Sequence, residues 1–416
     1  MLAALLFLLL ASAGVSIYLA LGISSALLFA ADGESLSGFV QVIVDRLNSQ
    51  TLMAVPFFVI AATFMRRGGM ARTLVELADA SVGGLPGGLA LVAIFAATLF
   101  AAISGSSLAT AMAMGTLLIP EMLRQSYDRK FAVGVVGASG TLGILIPPSL
   151  ALIVFGVVAE QSVPKLFLAG VVPGLLQAAL FALLVVFRMR NHPLPPRTTR
   201  RAPLRRALPA LGLPAFAMGG IYSGLVTVTE AAALLAALAI AAGLASRSIR
   251  PGEVVPLLAD AMRTCAGLIL IVAFAMALGH WITISQIPAR LVEASAGLEL
   301  SAWQFLLLMN LVMLLLGAVL EVLSVILITV PIVLPLLPEF GIDPIHYAII
   351  VVVNMELALL TPPIGLNLFV LSGISKAPLS EVIRGVAPFS IVLGALLLLV
   401  TFVPLLTLTL PKWVFG

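Results

Sequence analysis

The sequence predicts an all-α polytopic membrane protein built as an inverted repeat, and three observations carry that expectation. The first is composition: 62% of the 416 residues are hydrophobic, only 10% are charged, and the mean hydropathy is +1.21. A soluble chain of this length needs far more charge to cover its surface. The second is an internal repeat at an offset of 215 residues. It carries Pro147-Pro148 onto Pro362-Pro363, Pro120 onto Pro335, Gly170 onto Gly385 and Pro173 onto Pro388 without a gap. The third is the setting of the two Pro-Pro pairs, which interrupt long apolar segments at Gly143–Pro148 and Ala358–Pro363. Each proline lacks an N–H and clashes with the carbonyl four residues back, so a helix must break there. Backbone freed at membrane depth is tolerated only where protein buries it or where it lines a cavity. Interruptions at corresponding points of two halves point to the midplane binding site of a secondary transporter.

Spans are expected near residues 1–30 and 50–65, separated by the polar stretch Asp32–Gln50. Met1–Leu10 resembles a signal-peptide core. However, no Lys or Arg precedes it and the apolar run continues to Ala31, which favours a first membrane helix. An amphipathic segment then runs to about residue 82. The stretch 87–119 holds Ser104-Gly105-Ser106-Ser107 at its centre, with Arg66, Arg67 and Arg72 before it and Arg124, Arg129 and Lys130 after it. Basic residues on both flanks put both ends on the cytoplasmic side, which makes the stretch a re-entrant hairpin. A span broken at Pro-Pro (131–157) and a further span (165–187) complete a first repeat over residues 1–187.

Residues 188–207 form a basic cytoplasmic linker. It carries Arg188, Arg190, Arg197, Arg200, Arg201, Arg205 and Arg206 and no acid. Topological anchoring is the simpler reading of this charge, and binding of anionic lipid headgroups is the alternative. The rest, 208–416, holds one extra helix (208–226) and then the plan again. Its spans are 229–246 and 265–286, followed by an amphipathic piece at 288–299, a hairpin (302–335), a broken helix (344–374) and a span (386–410). The extra helix inverts the second repeat. Of the 22 basic residues only Arg46, Lys165, Arg290 and Lys412 then fall outside, with the N-terminus cytoplasmic and the C-terminus periplasmic. The charge of +4 and pI near 9.6 imply no nucleic acid, because the arginines sit at segment ends. Cys265 is the single cysteine, which excludes an intramolecular disulfide and a multi-cysteine metal site.

The chemistry follows from four half-elements meeting near the midplane. The prolines are expected to leave the carbonyls of Gly143, Ile144, Ala358 and Leu359 without helical partners, and free carbonyls are hard ligands for a cation. Ser104, Ser106 and Ser107 add hydroxyls, and Gly105 permits a tight turn. The N-terminus of the returning hairpin arm offers N–H groups suited to a carboxylate. The second half supplies Glu321 in the tip Gly317–Ser324, and Thr361, Gly365 and Asn367 in its break. A lone Gly-Ser-Ser is ordinarily a packing notch and a lone Pro-Pro a kink, but both features recurring in register favour a site. Glu321, Glu356, Glu230 and His280 are ionisable at or near membrane depth. Glu321 is placed to act at the tip or to stabilise it, Glu356 to be hydrogen-bonded beside Asn354, and Glu230 and His280 to be structural.

At this point several runs together resemble a family. Val55-Pro56-Phe57-Phe58, Arg67-Gly68-Gly69, Phe100–Pro120, Gly140–Ser149, Gly341-Ile342-Asp343-Pro344 and Leu360–Asn367 are similar to the large membrane subunit of tripartite ATP-independent periplasmic (TRAP) transporters. The likeness spans essentially the whole chain. It implies an elevator-type fold like that of the ion transporter superfamily and sodium-coupled import of a small carboxylate across the bacterial inner membrane. It also implies two partners, a small four-helix membrane subunit and a periplasmic substrate-binding protein. Because the chain opens with its own first span, the small subunit is expected to be separate.

Two sodium sites are carried over by position, one at Ser104, Gly140, Gly143 and Pro147 and the other at Gly317, Ala358 and Thr361. The Thr141 hydroxyl is expected at the first, with no carboxylate nearby to carry a proton. Ser104, Gly105, Ser106, Ser107, Ser149, Glu321, Pro363, Gly365 and Asn367 are the expected substrate contacts. No Walker-type G-x-x-x-x-G-K-[ST] run appears, so an ion gradient rather than a nucleotide must supply the energy. A self-sufficient sodium–dicarboxylate symporter is the rival within transport, and requirement for a binding protein separates the two. An intramembrane enzyme is the rival from another class. It lacks support because no His-Glu-x-x-His, no Gly-x-Ser-x-Gly and no aspartate within a span is present. Which carboxylate is carried is not written in this chain.

Overall fold

The computed structural model describes residues 6, 9–10, 14–33, 35–190, 204–287, 290 and 300–416, and its regular elements are all helical. In the first half these are α1 (Ile17–Ala31), α2 (Leu36–Leu47), α3 (Ala54–Arg67), α4 (Met70–Val82), α5 (Gly88–Ser104), α6 (Ser107–Arg124), α7 (Arg129–Thr141), α8 (Leu150–Val158) and α9 (Val163–Met189). The second half holds α10 (Leu204–Tyr222), α11 (Val228–Ala245), α12 (Val254–Ile284), α13 (Ala302–Gly317), α14 (Val322–Val333), α15 (Pro344–Ala358), α16 (Leu366–Ser375), α17 (Leu379–Phe402) and α18 (Leu405–Phe415). Among the described residues, five helical stretches are long and apolar enough to cross a membrane: Val163–Met189, Val228–Ala245, Pro251–Ile284, Val322–Phe340 and Leu379–Phe402.

Both hairpins and both broken helices are present. The α5–α6 and α13–α14 pairs reverse at the expected tips. The α7–α8 break follows Thr141 and the α15–α16 break follows Ala358, each around a cis Pro-Pro bond. Local sequence sets the boundaries. Asp128 caps α7 by accepting from Phe131 N at 3.2 Å, and Asp343 caps α15 by accepting from Ile345 N at 2.8 Å.

The two repeats interlock. The returning arm α6 packs on α16, and its counterpart α14 packs on α8; likewise α7 packs on α17 and α9 on α15. The α7–α17 crossing is a backbone contact, because a Cβ on Gly134 would lie 2.1 Å from Gly385 O. Around this unit, α3 packs on α11 and α12, α1 and α2 pack on α12, and α10 packs on α4.

Three expectations need correction. The polar stretch Asp32–Gln50 contains helix α2, capped by Ser35, whose Oγ accepts from Gly38 N at 3.1 Å. Polar ends conceal an amphipathic centre there, and Phe39 packs edge-on against Phe29 at 5.3 Å between ring centroids. The first apolar run divides before α1, at a turn where Gly14 has φ 80. The extra helix starts at Leu204 rather than 208, inside the expected linker. Most of that linker and most of the expected amphipathic piece 288–299 lie outside the described residues.

Candidate functional site: the hairpin tips and the broken helices

Each tip is tied to the break of its own repeat. At the first, Gly105 takes φ 58, a left-handed conformation natural to glycine. Its carbonyl accepts from Leu150 N, just past Pro-Pro, at 3.4 Å. At the second, the Ala318 carbonyl accepts from Ile364 N at 3.1 Å and from Gly365 N at 3.4 Å. Leu150 and Gly365 are repeat equivalents, so the donor recurs, while the acceptor shifts from Gly105 to Ala318. Ser106 and Glu321 are also equivalents, and they occupy the N-cap positions of the returning arms α6 and α14.

Oxygen atoms converge at the first tip. Ser104 Oγ and Thr110 Oγ1 lie 2.6 Å apart, and Thr110 donates to Ser106 O at 2.9 Å. A Cβ on Gly143 would sit 2.5 Å from both Ser106 O and Thr110 Oγ1, so only bare backbone from the broken helix fits here. Gly140 faces the same arm, where its Cβ would meet Ala111 Cβ at 2.8 Å. Pro147 is buried beside them. This hard, neutral oxygen set fits a monovalent cation. Thr110 is absent from the sequence candidates, since a threonine one turn into an apolar helix carries no distinguishing signal.

The second site is drier. A Cβ on Gly317 would lie 2.7 Å from Ala358 Cβ and 2.9 Å from Met355 Sδ. Oxygens gather instead beside Gly365, where a Cβ would lie 2.8 Å from Thr361 O and 3.2 Å from Leu359 O. The Thr361 hydroxyl donates to Leu357 O at 2.7 Å, and the Ala358 carbonyl accepts from Thr361 N at 3.0 Å. That carbonyl is therefore engaged, contrary to expectation. The Ile144 carbonyl is engaged too, because it accepts from Ser149 Oγ. Ser324 Oγ is a buried oxygen of this half, beside the Glu321 carboxyl.

A cavity of about 340 Å³ opens between the tips. It brings together Ser104, Gly105, Ser106, Ser107 and Glu321 with Pro148 and Leu150, and with Thr63 and Arg66 from α3 and Thr264 from α12. Arg66 is the one basic side chain on this wall and enters no ion pair among the described residues, whereas neighbouring Arg67 pairs with Glu253. Sequence reasoning used Arg66 only as a flanking charge. Other expected contacts stand apart from the cavity. Ser149 and Asn367 are fully buried in hydrogen bonds of their own, Gly365 is buried, and Pro363 is exposed outside the cavity.

Two further corrections concern Thr141 and Glu356. Thr141 accepts from Gln177 Nε2 at 2.9 Å and donates to Ala138 O at 2.9 Å, away from the hairpin that Gly140 and Gly143 face. The absence of a carboxylate near it does not hold, because Glu356 Oε2 lies 3.5 Å from Thr141 Oγ1. Asn354 is not the partner of Glu356, since it donates to Asn310 O at 2.8 Å. Glu230 completes a capping box with Thr227, and His280 stacks on Phe29.

The family model of the "Tripartite ATP-independent periplasmic transporter, DctM component" matches residues 2–406. The C4-dicarboxylate TRAP transporter large permease protein of Pseudomonas aeruginosa is 43% identical over 94% of this chain and 94% of that one. The sialic acid TRAP transporter large permease protein of Vibrio cholerae is 33% identical over 95% and 94%. The crystal structure of the Alcanivorax borkumensis YdaH transporter shares the fold, with a TM-score of 0.69 at 16% identity over 96% of this chain and 98% of that one. Apolar helices, paired hairpins and whole-length kinship together describe a polytopic membrane transport protein and not an enzyme. The chain belongs to the DctM family, the large permease components of tripartite ATP-independent periplasmic transporters.

Proposed function

We propose that this chain is the large permease of a sodium-coupled importer of a small organic carboxylate. In this reading it sits in the bacterial inner membrane with a small four-helix subunit and receives substrate from a periplasmic binding protein. The observation that carries the reading is the cavity. The N-terminus of α6 and Arg66 both line it, and both suit a carboxylate. Behind the tip lie the neutral oxygens of Ser104, Ser106 and Thr110, suited to sodium. A bound sodium supplies positive charge beside the tip and so favours an anionic substrate there. The chain's residues do the rest: Gly105 and Leu150 hold the tip against the break, and Gly143 leaves room for the ion. The two named relatives carry a C4-dicarboxylate and sialic acid, both carboxylates.

Motion is read as an elevator. The interlocked hairpins and broken helices move as one unit against a frame of α1–α4 and α10–α12. The orientation, with the N-terminus inside and the C-terminus outside, is supported by ion pairs within each expected face. Arg46 pairs with Glu160 at 3.3 Å on the periplasmic side, and Arg67 pairs with Glu253 on the cytoplasmic side.

Uptake by proteoliposomes tests the proposal. Transport is expected only with an inward sodium gradient, the small subunit and a loaded binding protein. Robust uptake by this chain without partners would favour the self-sufficient symporter.

A further inference from the structure

Thr141 and Glu356 are repeat equivalents, 215 positions apart, and their side chains face each other at the interface of the two broken helices. Gln177 of α9 joins them, donating from Nε2 to Thr141 Oγ1. Thr141, Gln177 and Glu356 are all wholly buried. Glu356 Oε1 and Gln177 Oε1 have no hydrogen-bond partner, and no ion pair reaches Glu356 among the described residues.

The Thr141 hydroxyl accepts from Gln177 and has two acceptors within reach, Ala138 O at 2.9 Å and Glu356 Oε2 at 3.5 Å. At 3.5 Å the contact is long for an O–H···O bond, whose usual length is about 2.7–2.8 Å. It is instead the edge expected of a coordination shell. Two oxygens about 2.4 Å from a cation of calcium's size, at a right angle, are about 3.4 Å apart, and sodium has nearly that size. A single carboxylate among neutral oxygens matches one positive charge, whereas divalent sites gather more carboxylates.

We propose that Thr141, Gln177 and Glu356 form a sodium site on the pseudo-two-fold axis, separate from the oxygens at the hairpin tips. The site lies in the core of the interlocked unit, away from the cavity. An ion there neutralises Glu356 and braces α7, α9 and α15 against one another, whichever state the hairpins adopt.

The test is sodium binding to the full chain in nanodiscs, measured with radioactive sodium and as sodium-dependent thermal stabilisation, with choline replacing sodium at constant ionic strength. Glu356→Gln is expected to lose one bound sodium per chain relative to the unsubstituted protein. Thr141→Val, which keeps the shape of the side chain, is expected to weaken that ion's affinity about tenfold or more and decides the matter if Glu356→Gln does not fold. Unchanged stoichiometry in Glu356→Gln, or unchanged affinity in Thr141→Val, overturns the site. Ser104→Ala provides the separate arm, since it tests the hairpin-tip sodium and leaves this site intact. Loss in Ser104→Ala alone therefore counts against the axial site, and loss in Glu356→Gln alone counts against the tip site.

Discussion

Asn367 donates from Nδ2 to Ser107 Oγ at 2.7 Å, and both side chains are buried although 260 positions separate them. The bond pins the second repeat's broken helix α16 to the first residue of α6, the returning arm of the first hairpin. The equivalent positions on the other side of the pseudo-symmetry are Leu152 and Val322, both apolar. A polar clasp therefore occurs at one of two matched interfaces, beside the tip with the richer oxygen set.

Asn367→Ala should destabilise the chain by about 1–3 kcal/mol, because it leaves the buried Ser107 hydroxyl short of a donor. Ser107→Ala should cost less, since the Asn367 amide can turn. A double-mutant cycle by thermal unfolding in detergent checks the pair. Strictly additive effects would mean that the clasp contributes nothing.

Gly143→Ala should abolish sodium-dependent uptake and, because the methyl also presses on the Ser106 backbone, lower the unfolding midpoint. A methyl there would fall 2.5 Å from Ser106 O and Thr110 Oγ1, within the space read as the ion's. Gly105→Ala should act through stability alone. It forces a left-handed conformation on alanine, costing about 1–2 kcal/mol, and brings a methyl within 2.9 Å of Pro148 O. Uptake assays and unfolding midpoints measured together separate the two.

The fold's outline is legible in the sequence because its main events are covalent. Pro-Pro cannot continue a helix, and glycine can reverse one, so the breaks and the first tip announce themselves. What escapes is set by three-dimensional meeting. Thr110 is an ordinary helical threonine until Ser104 and Gly143 come up against it. Thr141 and Glu356 look unrelated because threonine and glutamate break the repeat's resemblance, yet equivalents near a two-fold axis must approach each other. Helix α2 is hidden by its polar flanks, and its buried face shows only where Phe39 meets Phe29 and Phe274.

Orientation is open to direct labelling. Cys265 is fully buried and is the single cysteine, so a Cys265→Ser background should be silent. Asp45→Cys should react with a membrane-impermeant maleimide from the periplasm, and Gly252→Cys only after the cytoplasmic face is opened. A Cβ on Gly252 meets nothing within 4 Å, so that substitution should be tolerated. Labelling of both from one face would defeat the inverted-repeat topology.

Ser104→Ala and Thr110→Val each remove an oxygen from the first tip, and each should raise the sodium needed for half-maximal uptake by about tenfold. Thr361→Ala should raise it less, since its hydroxyl is already engaged by Leu357 O. Glu321→Gln should retain sodium-driven uptake. Its loss there, together with transport driven by a proton gradient alone, would replace sodium by the proton as the coupling ion.

Arg66 gives the sharpest test of substrate charge. It lines the cavity with the first tip and enters no ion pair among the described residues, and it belongs to α3 of the frame rather than to the unit read as moving. A carboxylate in the cavity gains a charge-assisted hydrogen bond from it, worth about 1.5–3 kcal/mol when shielded and less at this exposed position. Arg66→Gln should therefore raise the half-saturating substrate concentration about tenfold, with sodium dependence unchanged. Arg66→Lys should recover part of the loss, because charge is kept but the bidentate fork is not. The effect of Arg66→Gln should shrink as ionic strength rises. Unaltered uptake in Arg66→Gln at low salt would remove the guanidinium from the substrate's path and leave the α6 N-terminus to recognise the carboxylate alone.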